Sequence, residues 1–167
     1  MALARWLLAE RSHLFPAILL RGDAPDFVFS PASAADGIFA IEHTDMGGQV
    51  FQRTLDAAAA LEGPGLIEIS GPDGWIGDEP ERAWTDDLRE AVARKSDAKC
   101  WRAAPSGAAR WLLVYDNATN GVVVSDVEAR RLVSTVLRTE LAAAGFDAIA
   151  LVRGRGNVML VAGGGAS

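Results

Sequence analysis

The chain predicts an α/β fold with a mixed central sheet flanked by helices. Three observations lead to it. Two short apolar runs, Asp26-Phe27-Val28-Phe29-Ser30 and Gly37-Ile38-Phe39-Ala40-Ile41-Glu42-His43-Thr44, read as neighbouring strands joined by a loop. The unbroken run Arg110-Trp111-Leu112-Leu113-Val114-Tyr115 has the composition of a central strand covered on both faces. Apolar residues then recur at helical spacing over 81–99 and 126–144.

In chain order, Leu3 to Leu20 predicts a helix, with Leu3, Leu7, Leu8, Leu14 and Phe15 on one side and Pro16 kinking or ending it. Arg21-Gly22-Asp23-Ala24-Pro25 is a turn, and 31–36 is a loop that returns the chain antiparallel into the second strand. Val50, Phe51, Leu55 and Ala58 suggest a helix to Leu61, stopped by Gly63-Pro64-Gly65. Leu66 to Ser70 reads as a third strand, and 71–80 as loop. Glu81 to Lys99 is the next helix, with Thr85 as a possible N-cap and Trp84, Leu88, Ala91 and Val92 facing the core. Lys95 follows Ala91 by four residues, so it leaves this helix on or beside the buried face. Asp116-Asn117 is a turn. The helix Asp126 to Ala144 carries Val133, Val136, Leu137 and Leu141 on one face and ends at Gly145. Ala148–Val152 and Val158–Val161 close the chain as a hairpin. The whole reads as one domain over 1–162 with a flexible tail at 163–167.

Composition narrows the function classes. Of 167 residues, 50% are apolar and 23% charged, the balance of an ordinary globular core. No run approaches the roughly 18 apolar residues of a membrane span, and the early Glu10-Arg11 interrupts any signal-like start. The expectation is a cytoplasmic protein. One cysteine, Cys100, excludes an internal disulfide, and two histidines argue against a His-rich zinc site. A net charge of −6 argues against bulk coating of nucleic acid, while leaving local grip open. That grip would come from Arg82 to Arg110, where seven basic residues stand against four acids.

Two carboxylates stand out. Alternation along the second strand puts Ile38, Ala40, Glu42 and Thr44 on one face and Phe39, Ile41 and His43 on the other. His43 is then expected to pack as a core histidine. Asp26 opens the adjacent strand, within hairpin reach of Glu42. Paired carboxylates are hard oxygen ligands suited to Mg²⁺ or Mn²⁺. The alternative is that both acids cap strand ends in solvent. For Lys95 it is a surface lysine whose stem lies on the core. Arg94 and Lys99 are candidate phosphate contacts, and Trp75 and Trp101 candidate stacking or packing residues. Gln49 and Gln52 follow the motif strand, and Ser12 and Ser70 have no evident base partner.

The succession helix-strand-strand-strand-helix-strand, with Pro25-Asp26 opening one strand and Glu42-His43-Thr44 closing the next, resembles the PD-(D/E)XK restriction-endonuclease-like superfamily over about Leu3 to Tyr115. The resemblance implies an αβββαβ core, here with an αββ extension. It implies a metal-dependent nuclease with Asp26 and Glu42 as the metal-binding acids. The lysine expected two residues after the second acid is replaced by Thr44. Lys95, on the following helix, is the substitute that some members use, and Glu10 is the candidate for an extra carboxylate from the first helix. Catalytic residues would then be Asp26, Glu42, Lys95 and Thr44; metal ligands Asp26, Glu42 and Glu10; cofactor Mg²⁺ or Mn²⁺; partners nucleic acid, DNA foremost, and a second copy of the chain. The runner-up is a catalytically inactive interaction or binding module on the same fold. An unrelated α/β interaction protein with purely structural acids is the third reading.

Overall fold

The computed structural model describes residues 2–46, 80–116, 124–153 and 157–162. Six strands form one mixed sheet in sequential order. They are β1 (Ala17–Arg21), β2 (Phe27–Pro31), β3 (Phe39–Met46), β4 (Ala109–Asp116), β5 (Ala148–Arg153) and β6 (Asn157–Ala162). The first three form an antiparallel meander, β3, β4 and β5 run parallel, and β6 returns antiparallel to β5. The helices are α1 (Ala2–Glu10), α2 (Pro80–Lys95), α3 (Asp126–Thr135) and α4 (Arg138–Ala143).

Each sheet face has its own apolar layer. Ala40, Leu112, Val114, Ile149 and Leu151 meet Trp84, Leu88, Ala91 and Val92 of α2 and Leu132, Val133 and Leu141 of α3 and α4. On the other face Phe29, Ile41, Trp111, Leu113, Ala150 and Val152 meet Leu7 of α1 and Leu14. The two-sided cover accounts for the continuous apolar runs of β4 and β5.

The first predicted helix is corrected. It ends at Glu10, a short 3₁₀ turn follows over Ser12–Leu14, and Ala17–Arg21 is strand. Phe15, held next to Pro16, is already extended at φ −113° and ψ 147°, as the residue before a proline prefers. The strand was hard to read because Ile18, Leu19 and Leu20 are 57–63% exposed, so neither face alternates. Among the described residues the strands before α2 are β1, β2 and β3; the predicted helix to Leu61 and strand Leu66–Ser70 lie outside the described residues.

Other boundaries also move. α2 begins at Pro80, so Thr85 is inside it, and its hydroxyl donates to the Arg82 carbonyl at 2.8 Å instead of capping the start. The helix stops at Lys95, four residues early. Trp101 then donates its indole N–H to the Lys95 carbonyl at 3.0 Å, satisfying a terminal acceptor of the helix. The predicted helix 126–144 is two helices, breaking at Val136 and Leu137. Val136 is exposed, while Ser125 caps the first piece by accepting from the Glu128 N–H at 3.1 Å. Gly145, at φ +82°, ends the second as expected. Asp116 is not a turn residue but the buried last residue of β4.

The β1–β2 turn sets the approach to Asp26. Gly22 N–H donates to the Asp26 carbonyl at 2.8 Å, and Ala103 N–H donates to the Ala24 carbonyl at 2.9 Å. A Cβ at position 22 would stand 2.6 Å from the Pro25 carbonyl oxygen, a backbone atom that cannot swing aside. Gly22→Ala is expected to cost about 1–3 kcal/mol, the usual penalty for forced backbone shifts. Urea denaturation measures it, and an unchanged midpoint would refute the tight turn.

Candidate functional site

The site lies where β2, β3 and the last turn of α2 meet. Antiparallel pairing sets Phe27 opposite Ile41, so Asp26, one residue before β2, comes beside Glu42. Glu42 belongs to the α2 face of β3 with Ala40, Thr44 and Met46, all buried. Only 2% of Glu42 is exposed, and a carboxylate there needs a partner.

That partner is Lys95. The indole of Trp84 donates to the Asp116 carboxylate at the end of β4 at 2.9 Å. Eleven residues on, Lys95 reaches Glu42 in the middle of β3, so α2 runs back along the strands it covers. Lys95 Nζ donates to Glu42 Oε2 at 2.6 Å and lies 3.9 Å from Asp26 Oδ2. Three of the residues named from the sequence, from three separate segments, thus gather in one cluster: Asp26, Glu42 and Lys95. Lys95 is thus paired with a buried acid, while a quarter of its side chain stays in solvent.

Asp26 has a second neighbour. Its Oδ2 accepts the His43 backbone N–H at 2.9 Å and pairs with His43 Nδ1 at 2.7 Å. The expectation of a packed core histidine is corrected: 47% of the His43 side chain is exposed. The cover given by α1 and Leu14 reaches Phe39 and Ile41 but not His43 or Asp45. Phe27 and Tyr115 instead flank the ring, with centroids at 6.2 and 6.4 Å.

The ionisation of the cluster follows from these contacts. Burial pushes the Asp26 carboxyl up, but the His43 hydrogen bonds and the Lys95 charge outweigh it and hold the group below its ordinary range. Burial pushes Glu42 up, and the nearby Asp26 carboxylate adds to that. Lys95 opposes both without cancelling them, so Glu42 stays raised. Burial pulls the Lys95 ammonium down, yet the two carboxylates raise it overall. Mutual influence between Asp26 and Glu42 is the electrostatic mark of two acids sharing a site.

Thr44 is buried on the same face, and its hydroxyl accepts from Arg94 Nη2 at 3.3 Å. Arg94 Nη2 also donates to the Asp45 carbonyl at 2.8 Å, and Nη1 to Glu90 at 2.9 Å. A guanidinium therefore stands beside the position where the resemblance expects a lysine. Glu10 is exposed at the end of α1, which packs on the opposite sheet face; among the described residues it joins none of these contacts. Lys99 is exposed; Trp101 is buried in the core and not a free stacking platform. Ser12 is exposed, and Gln49, Gln52, Ser70 and Trp75 lie outside the described residues. Among the described residues no group of three or more His, Cys, Asp or Glu side chains is arranged to hold a metal.

A second buried polar group was missed from sequence. Arg153, ending β5, donates to Asp116 at 2.7 Å, Asp126 at 2.7 Å and the Val124 carbonyl at 2.5 Å. Its guanidinium lies 5.6 Å from the centre of the Trp84 ring. This network ties the ends of β4 and β5 to the starts of α2 and α3. Its sequence signal was an acid or an arginine terminating an otherwise apolar strand.

No protein-family model matches the chain, and neither the curated proteins nor the solved structures contain a match. No helix among the described residues is long and apolar enough to cross a membrane.

Lys95→Met should cost about 3 kcal/mol at neutral pH by stranding a buried carboxylate, the lower end for such pairs because a quarter of Lys95 is solvated. The loss should shrink on acidification, as the raised Glu42 carboxyl takes up a proton; denaturant titration from neutral pH downward tests this. Asp26 behaves in the opposite sense. Its folded pKa is depressed, so its stabilisation is complete above the ordinary value of 3.8 and is lost as pH falls through the folded value. Asp26→Asn should therefore destabilise at neutral pH and converge with wild type at the acid end. A gap independent of pH would contradict the assignment.

Proposed function

We propose that the protein is a metal-dependent nuclease with a PD-(D/E)XK restriction-endonuclease-like core, hydrolysing phosphodiester bonds of nucleic acid, DNA foremost. The observation that carries this reading is the meeting of Asp26, Glu42 and Lys95 around a single ammonium. The strand order supports it: β1, β2 and β3 form a meander, and α2 intervenes before β4, parallel to β3. Among the described residues this order is compatible with the αβββαβ succession that the resemblance implies.

The donor chemistry fits a hard divalent cation. Asp26 and Glu42 offer carboxylate oxygens from neighbouring strands, and Asp26 keeps a quarter of its side chain in solvent. These two residues would hold Mg²⁺ or Mn²⁺; bound there, the ion would polarise the phosphate and lower the pKa of water. The chain's own groups supply the rest. The Lys95 ammonium sits beside both acids, where it offsets negative charge developing on a phosphoryl group or orients the attacking water. Arg94 brings a second cation to Thr44, so the missing strand lysine is made good by two residues of α2. Phosphodiester hydrolysis needs little covalent help from the protein, and positioning with charge stabilisation is what this cluster offers.

One observation favours the inactive binding module instead: the Glu42–Lys95 pair is already closed at 2.6 Å and is self-sufficient as a structural ion pair. A second copy of the chain is a further partner in either reading, since among the described residues β1 and β6 are the sheet edges.

Wild type is expected to nick or degrade DNA with Mg²⁺ or Mn²⁺ and to stop on chelation. Glu42→Gln and Lys95→Met should each slow cleavage by about 100-fold or more, the scale for a lost charge-stabilising group. Gel assays on DNA and RNA decide the matter. Equal cleavage by wild type and Glu42→Gln would assign the activity elsewhere. No cleavage, with no Mn²⁺-induced rise in melting temperature, would select the binding module.

A further inference from the structure

The proposed nuclease site leaves one close contact unexplained. His43 is not among the motif residues and faces away from Glu42 along β3, yet it makes two hydrogen-bond contacts with the Asp26 carboxylate, at 2.7 and 2.9 Å. Both fall on one oxygen, Oδ2. Lys95 approaches that same oxygen at 3.9 Å.

Asp26 stands immediately before β2, where its carboxylate is not fixed by the strand ladder. A carboxylate on such a segment turns freely unless something anchors it. The two donors of His43 provide the anchor. The backbone N–H fixes one direction at Oδ2, and Nδ1 fixes a second. The ring is itself held, by the edge of Tyr115 at 86° and by Phe27 at 50°. A carboxylate oxygen accepts, so at 2.7 Å the ring makes this bond by carrying its proton on Nδ1.

We propose that His43 is a positioning residue for the cation site, clamping Asp26 through Oδ2 and leaving Oδ1 as the oxygen offered to a divalent ion. The inference rests on the metal-dependent reading above. It assigns a reason for histidine between Glu42 and Thr44 that strand packing does not supply, because the ring is half in solvent. Outer partners of this kind orient a ligating carboxylate before the ion arrives, and their loss weakens metal affinity roughly 10- to 100-fold. His43 is no metal ligand and no proton carrier in this scheme; it acts only through Asp26.

The test is Mn²⁺ binding to the full chain, followed by electron paramagnetic resonance of the free ion, with Glu42→Gln, His43→Asn and His43→Leu compared to wild type. Asparagine offers an amide N–H near the place of Nδ1, so His43→Asn should bind within a few-fold of wild type. His43→Leu should bind roughly 10- to 100-fold more weakly, with a metal-free melting temperature close to that of His43→Asn. Equal affinities for leucine and wild type, with Glu42→Gln impaired, would overturn the clamp while sparing the metal site. Absence of Mn²⁺ binding by wild type, or binding unaffected by Glu42→Gln, would overturn both. Nitrogen-15 spectra of the imidazole in metal-free wild type give a check that needs no variant: the Nδ1–H tautomer is expected, and a neutral ring protonated at Nε2 would refute the clamp.

Discussion

Burying Glu42 is the constraint around which this end of the molecule is arranged. A carboxylate with 2% of its surface exposed cannot stay ionised in an apolar layer without a countercharge. The counterion comes from the far end of a 16-residue helix, so the requirement reaches well beyond the strand. α2 must run back over β3 and β4, and it must end where its last residue meets Glu42. Trp84 and the Arg153–Asp116 network fix its beginning, and Trp101 binds its final carbonyl. Between those ends Leu88, Ala91 and Val92 bury the apolar face. The ion pair and the helix packing therefore enforce each other.

Asp26 differs from Glu42 in kind. It sits at the margin of the sheet, held by hydrogen bonds to His43 and open to solvent, and its pKa moves down where that of Glu42 moves up. Two acids with opposed environments and one shared cation make a site that is polarised before any ligand enters. This asymmetry distinguishes the cluster from the exposed ion pairs elsewhere on the chain, such as Arg131 with Glu128, whose contribution to stability is small. Perturbed groups converging in this way mark a candidate functional site.

Much of the cluster was legible from residue order alone. Strand alternation put Glu42 and Thr44 on one face, helical spacing put Lys95 beside the buried face of its helix, and hairpin logic put Asp26 near Glu42. Each rests on a local period that tertiary packing did not disturb. β1 was not legible, because an edge strand exposed on both faces has no alternation and follows a helix whose leucines blend into it. His43 was misjudged for a related reason: alternation gives the face of a residue but not how far the opposite layer extends. The contacts of Arg94 with β3 and the Arg153 network were not legible because their partners lie 49–50 and 27–37 residues away, with no periodic relation.

By itself, then, the sequence determined the α/β class, the apolar central strands, the faces of β3 and α2, and the acids and lysine worth watching. These follow from side-chain periodicity, a property of each segment alone. Only the tertiary structure decided that Asp26, Glu42 and Lys95 meet, that Glu10 stands on the other side of the sheet, and that His43 holds Asp26. Those are distances between segments, set by strand register and by the direction in which α2 crosses the sheet, and no local pattern encodes them.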